Sequence, residues 1–131
     1  MHATGPFDVK ITPQQDSNSD PSIGRMTIDK QFHGDLEAHS VGQMLSAMSG
    51  VKGSAGYVAI EKVSGTLHGK KGTFVLQHNA TMDRGKPMLN IIVIPDSGTG
   101  ELEGLTGTMT IDIAAGGKHT YNFSYSLPAP K

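Results

Sequence analysis

Glycine and proline interrupt this chain at intervals of roughly ten residues, too close together for long helices and right for short strands joined by turns. The 131 residues hold 17 Gly and 7 Pro. Between the interruptions, apolar residues recur with period two. Met26 and Ile28 alternate with Arg25, Thr27 and Asp29; Met109, Ile111 and Ile113 alternate with Thr108, Thr110 and Asp112. Tyr121, Phe123, Tyr125 and Leu127 alternate with Thr120, Asn122, Ser124 and Ser126. In a strand this pattern gives one dry face and one wet face. The breaks at 68–72, 83–87, 95–100 and 114–118 combine Gly with Lys, Asp or Pro. Turns this short join antiparallel neighbours.

Eight strands are expected, over 7–12, 25–38, 43–48, 56–67, 73–82, 88–94, 108–113 and 118–127, with a polar surface loop at 13–21 and a free tail at 128–131. The fold class is therefore all-β: an eight-stranded antiparallel meander that closes into a barrel and leaves no exposed sheet edge. At most one or two helical turns are expected, one of them within 100–105. Segment 40–50 reads two ways. Ser40 with Gln43, then Val41, Met44, Leu45 and Met48 at helical spacing and Gly50 as a C-cap, describe a short helix. Gly42 in its first turn and a length of barely two turns count against that helix, and the strand at 43–48 rests on the family resemblance described below. One domain accounts for the whole length. An eight-stranded barrel has a lumen that is either filled by side chains or holds one small ligand.

Composition narrows the function classes. The absence of Cys excludes a disulfide framework, a thiolate zinc site and a Cys nucleophile, and fits a cytoplasmic location. Lys and Arg total 11 against 12 Asp and Glu, and only Arg25 and Arg84 are arginines, so no nucleic-acid partner is expected. No apolar run reaches the length of a membrane span and the N-terminus lacks a signal pattern, so neither membrane association nor export is expected. The triplets Asn79-Ala80-Thr81 and Asn122-Phe123-Ser124 accordingly carry no weight as glycan sites. No Ser occupies a nucleophile elbow, and no His and acid are spaced as a triad. The stretch 94–100 followed by Gly104 reads as a turn, because a dinucleotide fingerprint needs glycine where Glu103 stands and a βαβ unit around it. His33, Asp35, Glu37 and His39 share a face in a strand and form a possible metal stripe. Its ends lie about 20 Å apart, a solvated outer face is the simpler reading, and no metal or other cofactor is expected.

The remaining chemical groups are those that parity aligns with apolar neighbours. Lys30 follows Met26 and Ile28 at even steps, His78 follows Phe74 and Leu76, and Tyr121 and Tyr125 bracket Phe123. Glu61 shares parity with Tyr57, Ala59 and Val63, but the opposite face with Val58 and Ile60 is nearly as apolar, so either face of 56–67 can line the lumen. A lumen pocket is then built from Lys30, Tyr57, Glu61, His78, Tyr121 and Tyr125 over a floor of Met26, Phe74 and Phe123. The competing reading of each is ordinary packing, with the lysine snorkelling and the tyrosines satisfied locally. If Lys30 and Glu61 both face inward, burial requires them to pair or to sit at the mouth.

The stretches FHGDLEAHSVGQMLSAM, VKGSAGYVAIEKVSGTLHG, GTFVLQHNATM and PDSGTGELEGLTGTMTI resemble a family of small bacterial proteins of unknown function with an allene oxide cyclase-like barrel, over nearly everything from Arg25 to Leu127. The run from Gly98 to Gly107 is similar to a glycine-rich turn of allene oxide cyclases and plant dirigent proteins, and Gly34-Asp35-Leu36 to a cyclase segment. The resemblance implies an eight-stranded barrel, homo-oligomeric assembly, and a lumen that in the cyclases holds a hydrophobic substrate. Those cyclases place a Glu on the first strand; here 7–12 offers only Asp8, and no catalytic residue carries over. Association is also expected from the outer face, since Val58 and Ile60, or Met88, Ile92 and Ile94, stay exposed if the other face fills the lumen; a dimer is favoured. Two functions stay open. One is binding, with or without cyclisation or isomerisation, of a small apolar molecule in the lumen; the other is a non-catalytic structural or interaction domain with a packed lumen.

Overall fold

The computed structural model describes residues 1–15, 20 and 22–128. Its strands are β1 (His2–Gln14), β2 (Ile23–Phe32), β3 (Leu36–Met48), β4 (Ala55–Leu67), β5 (Lys70–Asp83), β6 (Lys86–Val93), β7 (Thr106–Ile113) and β8 (His119–Ser126). They follow one another around a closed barrel in chain order, every neighbouring pair antiparallel, and β8 returns to pair with β1. A single 3-10 turn at Gly100–Leu102 is the only helical segment among the described residues, inside the stretch where a turn is expected. The all-β meander barrel read from the period-two pattern is the fold that forms. Its tightest turns, His68-Gly69 and Arg84-Gly85, have positive φ at both central residues, 47° and 79° in the first and 49° and 91° in the second. That conformation matches the twist of the flanking strands, and glycine adopts it without steric cost.

Several boundaries differ from the sequence reading, among them the start of β1, which is His2 rather than 7. Residues 25–38 are not one strand: the chain turns at 33–35, where Gly34 has φ 96°, and Phe32 pairs back onto Ala38. The alternation from His33 to His39 runs through that turn without a break in parity, which is why it reads as continuous. Of the two readings of 40–50 the strand one holds: 43–48 is strand as expected, continuous with the rest of β3, because pairing on both flanks outweighs a helix of two turns. Pro13 and Gln14 extend β1 opposite Met26 and Arg25 rather than opening a loop. Of that loop, 16–19 and 21 lie outside the described residues, as do 129–131 of the tail.

The lumen is filled unequally along its axis. At one end Phe32, Phe74, Tyr121, Phe123 and Tyr125 pack with Leu36, Leu67 and Leu76, and the β6–β7 connection adds Leu102 and Leu105 to the same cluster. Phe74 and Phe123 stack with centroids 5.8 Å apart, and Phe32 meets Tyr121 edge-on at 5.4 Å. Burying each such ring stabilises the fold by roughly 1.5–3 kcal/mol. At the other end the inward positions are Met26, Met44, Tyr57, Leu89 and Ile113, none of them fully buried. Two further features shape the wall. A Cβ at Gly42 would lie 2.2 Å from the Ile60 carbonyl oxygen and one at Gly65 2.2 Å from that of Glu37, so bare backbone at these points lets β3 and β4 coil closely. Strands β6 and β7 pair only at Ile91–Met109 and Ile92–Thr108.

Candidate functional site

Four consecutive strands each send one polar side chain inward at the same height. Lys30 on β2 lies opposite Ser40 on β3, Glu61 on β4 opposite Gly42, and His78 on β5 opposite Ala59. The small partners Gly42 and Ala59 leave room for the long side chains facing them. Glu61 is fully buried. Its Oε2 accepts hydrogen bonds from Lys30 Nζ at 2.9 Å and from His78 Nε2 at 2.7 Å, and its Oε1 accepts from Ser40 Oγ at 2.9 Å. Burial alone pushes this carboxyl up. The His78 hydrogen bond, the charges of Lys30 and His78 and the Lys30 hydrogen bond outweigh it and bring the group down to about 2.

The consequences for the neighbours are chemical. An ionised carboxylate only accepts, so His78 Nε2 carries a proton and Nδ1 is the one ring nitrogen that can present a lone pair. Nδ1 has no partner among the described residues, and none of their side-chain nitrogens or oxygens is both sealed off and unbonded, so Nδ1 is not sealed off, and His78 borders the lumen cavity. The Lys30 ammonium lies 5.0 Å from the centroid of Phe7 and 5.3 Å from that of Phe32, a cation held over two ring faces. Above this floor is a cavity of about 330 Å³, bordered by Lys30, Tyr57 and His78 and walled by Val9, Ile28, Met44 and Ile111. A second, more apolar space of about 450 Å³ adjoins it at the rim, where Met26, Met48, Met82 and Met88 gather. Methionine makes such a wall adaptable. The Tyr57 ring lies 6.3 Å from that of His78, and its hydroxyl has no partner among the described residues. Burial, and then the Glu61 charge, raise the Tyr57 hydroxyl, which therefore stays a donor.

Of the residues singled out in the sequence, Lys30, Glu61 and His78 come together, with Tyr57 beside them. Lys30 and Glu61 both face inward, and they pair. The Glu61 face of β4 lines the lumen, while Val58 and Ile60 are exposed. Tyr121 and Tyr125 do not join this group. The Tyr121 hydroxyl donates to the His33 carbonyl at 2.7 Å and accepts from Leu36 N–H at 2.9 Å, tying the β2–β3 turn, and the Tyr125 hydroxyl bonds a His68 ring nitrogen. Phe74 and Phe123 pack at that same closed end, whereas Met26 sits at the open rim. Parity assigns a face but not a height along the barrel axis, and these residues share the face only. Asp8 is exposed on the outside, 3.5 Å from His33. Ser40 and Met44 are the site residues the sequence reading lacks; carrying the parity of Leu36 and Ala38 two and more steps on reaches both, but the helical spacing of the same segment hides it.

The acidic and histidine stripe is divided among three separate groups: His33 with both Asp8 at 3.5 Å and Glu37 at 3.6 Å, His39 with Asp29 at 2.7 Å, and Asp35 with His68 at 3.7 Å. Among the described residues no three such groups are placed to hold a metal ion. Addition of a chelator is accordingly expected to leave the melting temperature unchanged. A drop that disappears in the double variant His33→Ala, His39→Ala would identify a metal there. No helix among the described residues is long and apolar enough to cross a membrane.

These features define a class of protein: a closed antiparallel barrel of eight strands, packed with aromatic side chains at one end and open at the other over a buried Lys–Glu–His cluster. The sequence profile of DUF3224, a family described as protein of unknown function, matches residues 3–125, and the chain belongs to that family. It is similar to the crystal structure of a protein with unknown function from the same family in Shewanella oneidensis MR-1. The two share 50% identity over 99% of this chain and 98% of that one, with a TM-score of 0.92. No match is found among curated proteins.

Proposed function

We propose that the barrel binds a small apolar molecule in its lumen, admitted through the methionine-rimmed end and seated on Lys30 and His78, with Glu61 sealed beneath them. The observation that carries this reading is the cavity of about 330 Å³ itself, apolar at its walls and ending on polar groups with unused bonding capacity at His78 Nδ1 and the Tyr57 hydroxyl. Apolar concavities with a few convergent polar groups are the usual form of small-molecule sites. The charges of Glu61 and Lys30 cancel, so a neutral ligand carrying one hydrogen-bond acceptor adds no uncompensated buried charge. The cysteine-free composition fits action in the cytoplasm. A series of straight-chain ketones and alcohols tests the reading by thermal shift. At a hundred times its Kd a ligand is expected to add about 2.7 kcal/mol to stability, and Leu89→Trp at the rim is expected to abolish the shift. No shift with any chain length would remove the lumen reading in favour of a structural domain.

A second reading, compatible with the first, rests on the outer face. Val41, Leu45, Val58 and Ile60 are each about half exposed, and Leu45 lies opposite Val58 across β3 and β4. A second copy of the chain covering this patch gives a homodimer. Light scattering is expected to report twice the 13.8 kDa chain mass at tens of micromolar; a clean monomer would remove this reading.

A further inference from the structure

A carboxylate that accepts a hydrogen bond from one imidazole nitrogen fixes the ring's tautomer and supports the positive charge that appears when the other nitrogen takes a proton. Glu61 holds His78 in this way through Nε2, and Nδ1 is left without a partner, unsealed, on a ring that borders the cavity. The Lys30 ammonium is anchored to the same oxygen, Oε2, and borders the same cavity. A base and a cation therefore stand side by side, each oriented by one buried group. The Tyr57 hydroxyl, also on that cavity, supplies a further donor.

We propose that this floor is a proton-transfer site, in which His78 Nδ1 removes a proton from the carbon next to the carbonyl of a neutral, ketone-like apolar substrate while Lys30 Nζ holds the carbonyl oxygen. The proposal rests on the lumen reading above. In the step the carbon–hydrogen bond breaks and its proton passes to Nδ1. Its electron pair forms the carbon–carbon double bond of an enolate, and the carbonyl π pair becomes the negative charge on oxygen, beside Lys30 and the Tyr57 hydroxyl. Returning the proton to the same carbon regenerates the substrate. In a β,γ-unsaturated ketone, returning it to the γ carbon moves the double bond into conjugation, an isomerisation that consumes no other reactant. His78 and Lys30 are the catalytic residues, and Glu61 is a positioning residue.

The test uses the full chain with 2-decanone in D₂O, following by NMR the loss of the protons beside the carbonyl and, by saturation transfer, the binding of the ketone. Exchange at least about 100-fold faster than in buffer is expected, the lower range of a general-base contribution. His78→Gln keeps an N–H for Glu61 but has no basic nitrogen; it is expected to bind the ketone and exchange it at the buffer rate. Leu89→Trp blocks the rim without touching the buried cluster and is expected to lose exchange as well, which keeps the test decisive if His78→Gln does not fold. Bound ketone exchanging no faster than in buffer, or either variant exchanging at the wild-type rate, overturns the proton-transfer site. If the wild-type chain binds the ketone but does not exchange it, the lumen reading stands alone; if it binds neither 2-decanone nor any other member of the ketone and alcohol series, both fall.

Discussion

Replacing Glu61 with alanine is expected to cost about 3–5 kcal/mol, the penalty for stranding a buried charge without its partner. Lys30 is only 4% exposed, so its ammonium keeps little solvation with which to replace the lost carboxylate. Ser40 and His78 lose their acceptor in the same stroke. For a domain of this size the loss corresponds to a fall in Tm on the order of 10–20 °C. The double variant Lys30→Met, Glu61→Leu is expected to be clearly more stable than Glu61→Ala, since it removes both charges together and fills their space with apolar groups. A Glu61→Ala chain melting within a few degrees of wild type would show that the buried pair contributes nothing. The same carboxylate gives the protein an acid limb. Glu61 is held at about 2, below its ordinary value of 4.5, so its contribution is fully present above about pH 4.5 and is lost as pH falls from there toward 2. The amount at stake is on the order of 3 kcal/mol. Urea midpoints measured between pH 6 and 3 are expected to fall more steeply for wild type than for Glu61→Gln.

The second large effect is expected from the smallest change, Gly42→Ala. The added carbon would lie 2.2 Å from the Ile60 carbonyl oxygen and 2.7 Å from the Glu61 Cα. Backbone cannot rotate out of the way as a side chain can, so β3 and β4 must part. The cost is expected to reach about 3 kcal/mol, the upper range for overpacking. Because the residue displaced is Glu61 itself, lumen binding should weaken along with stability. Gly50→Ala is the control: a Cβ there meets nothing within 4 Å, and its denaturation midpoint is expected to stay within about 0.5 kcal/mol of wild type. Equal effects at the two positions would contradict the close approach at Gly42.

Both predictions concern residues that were legible in the sequence to different degrees. The barrel is readable because period-two faces and closely spaced turns leave few other ways to bury the apolar side. Lys30, Glu61 and His78 are readable for the same reason, as polar residues standing in apolar rows. What a row does not reveal is depth. Tyr121 occupies the inward face of β8 as firmly as His78 occupies that of β5, yet its hydroxyl ties off the His33–Leu36 turn at the packed end. Depth depends on the stagger between strands, which follows from where each turn falls, and the turn at 33–35 is disguised by charged residues that keep step through it. Gly42 is harder still: in a list of residues it weakens both helix and strand, and only the crossing of β3 over Glu61 explains it.

The short β6–β7 seam gives the barrel a property beyond its shape. Elsewhere neighbouring strands keep register over most of a strand's length, but these two are joined only at Ile91–Met109 and Ile92–Thr108. Leu89 and Ile113, both bordering the cavity, stand on either side of the unpaired stretch. The aperture is thus less a rigid ring than an elastic slit, sprung by the hydrogen bonds at its lower end. If the lumen takes a guest as proposed, the ring yields at this seam before it yields anywhere else, because only two ladder pairs hold it there.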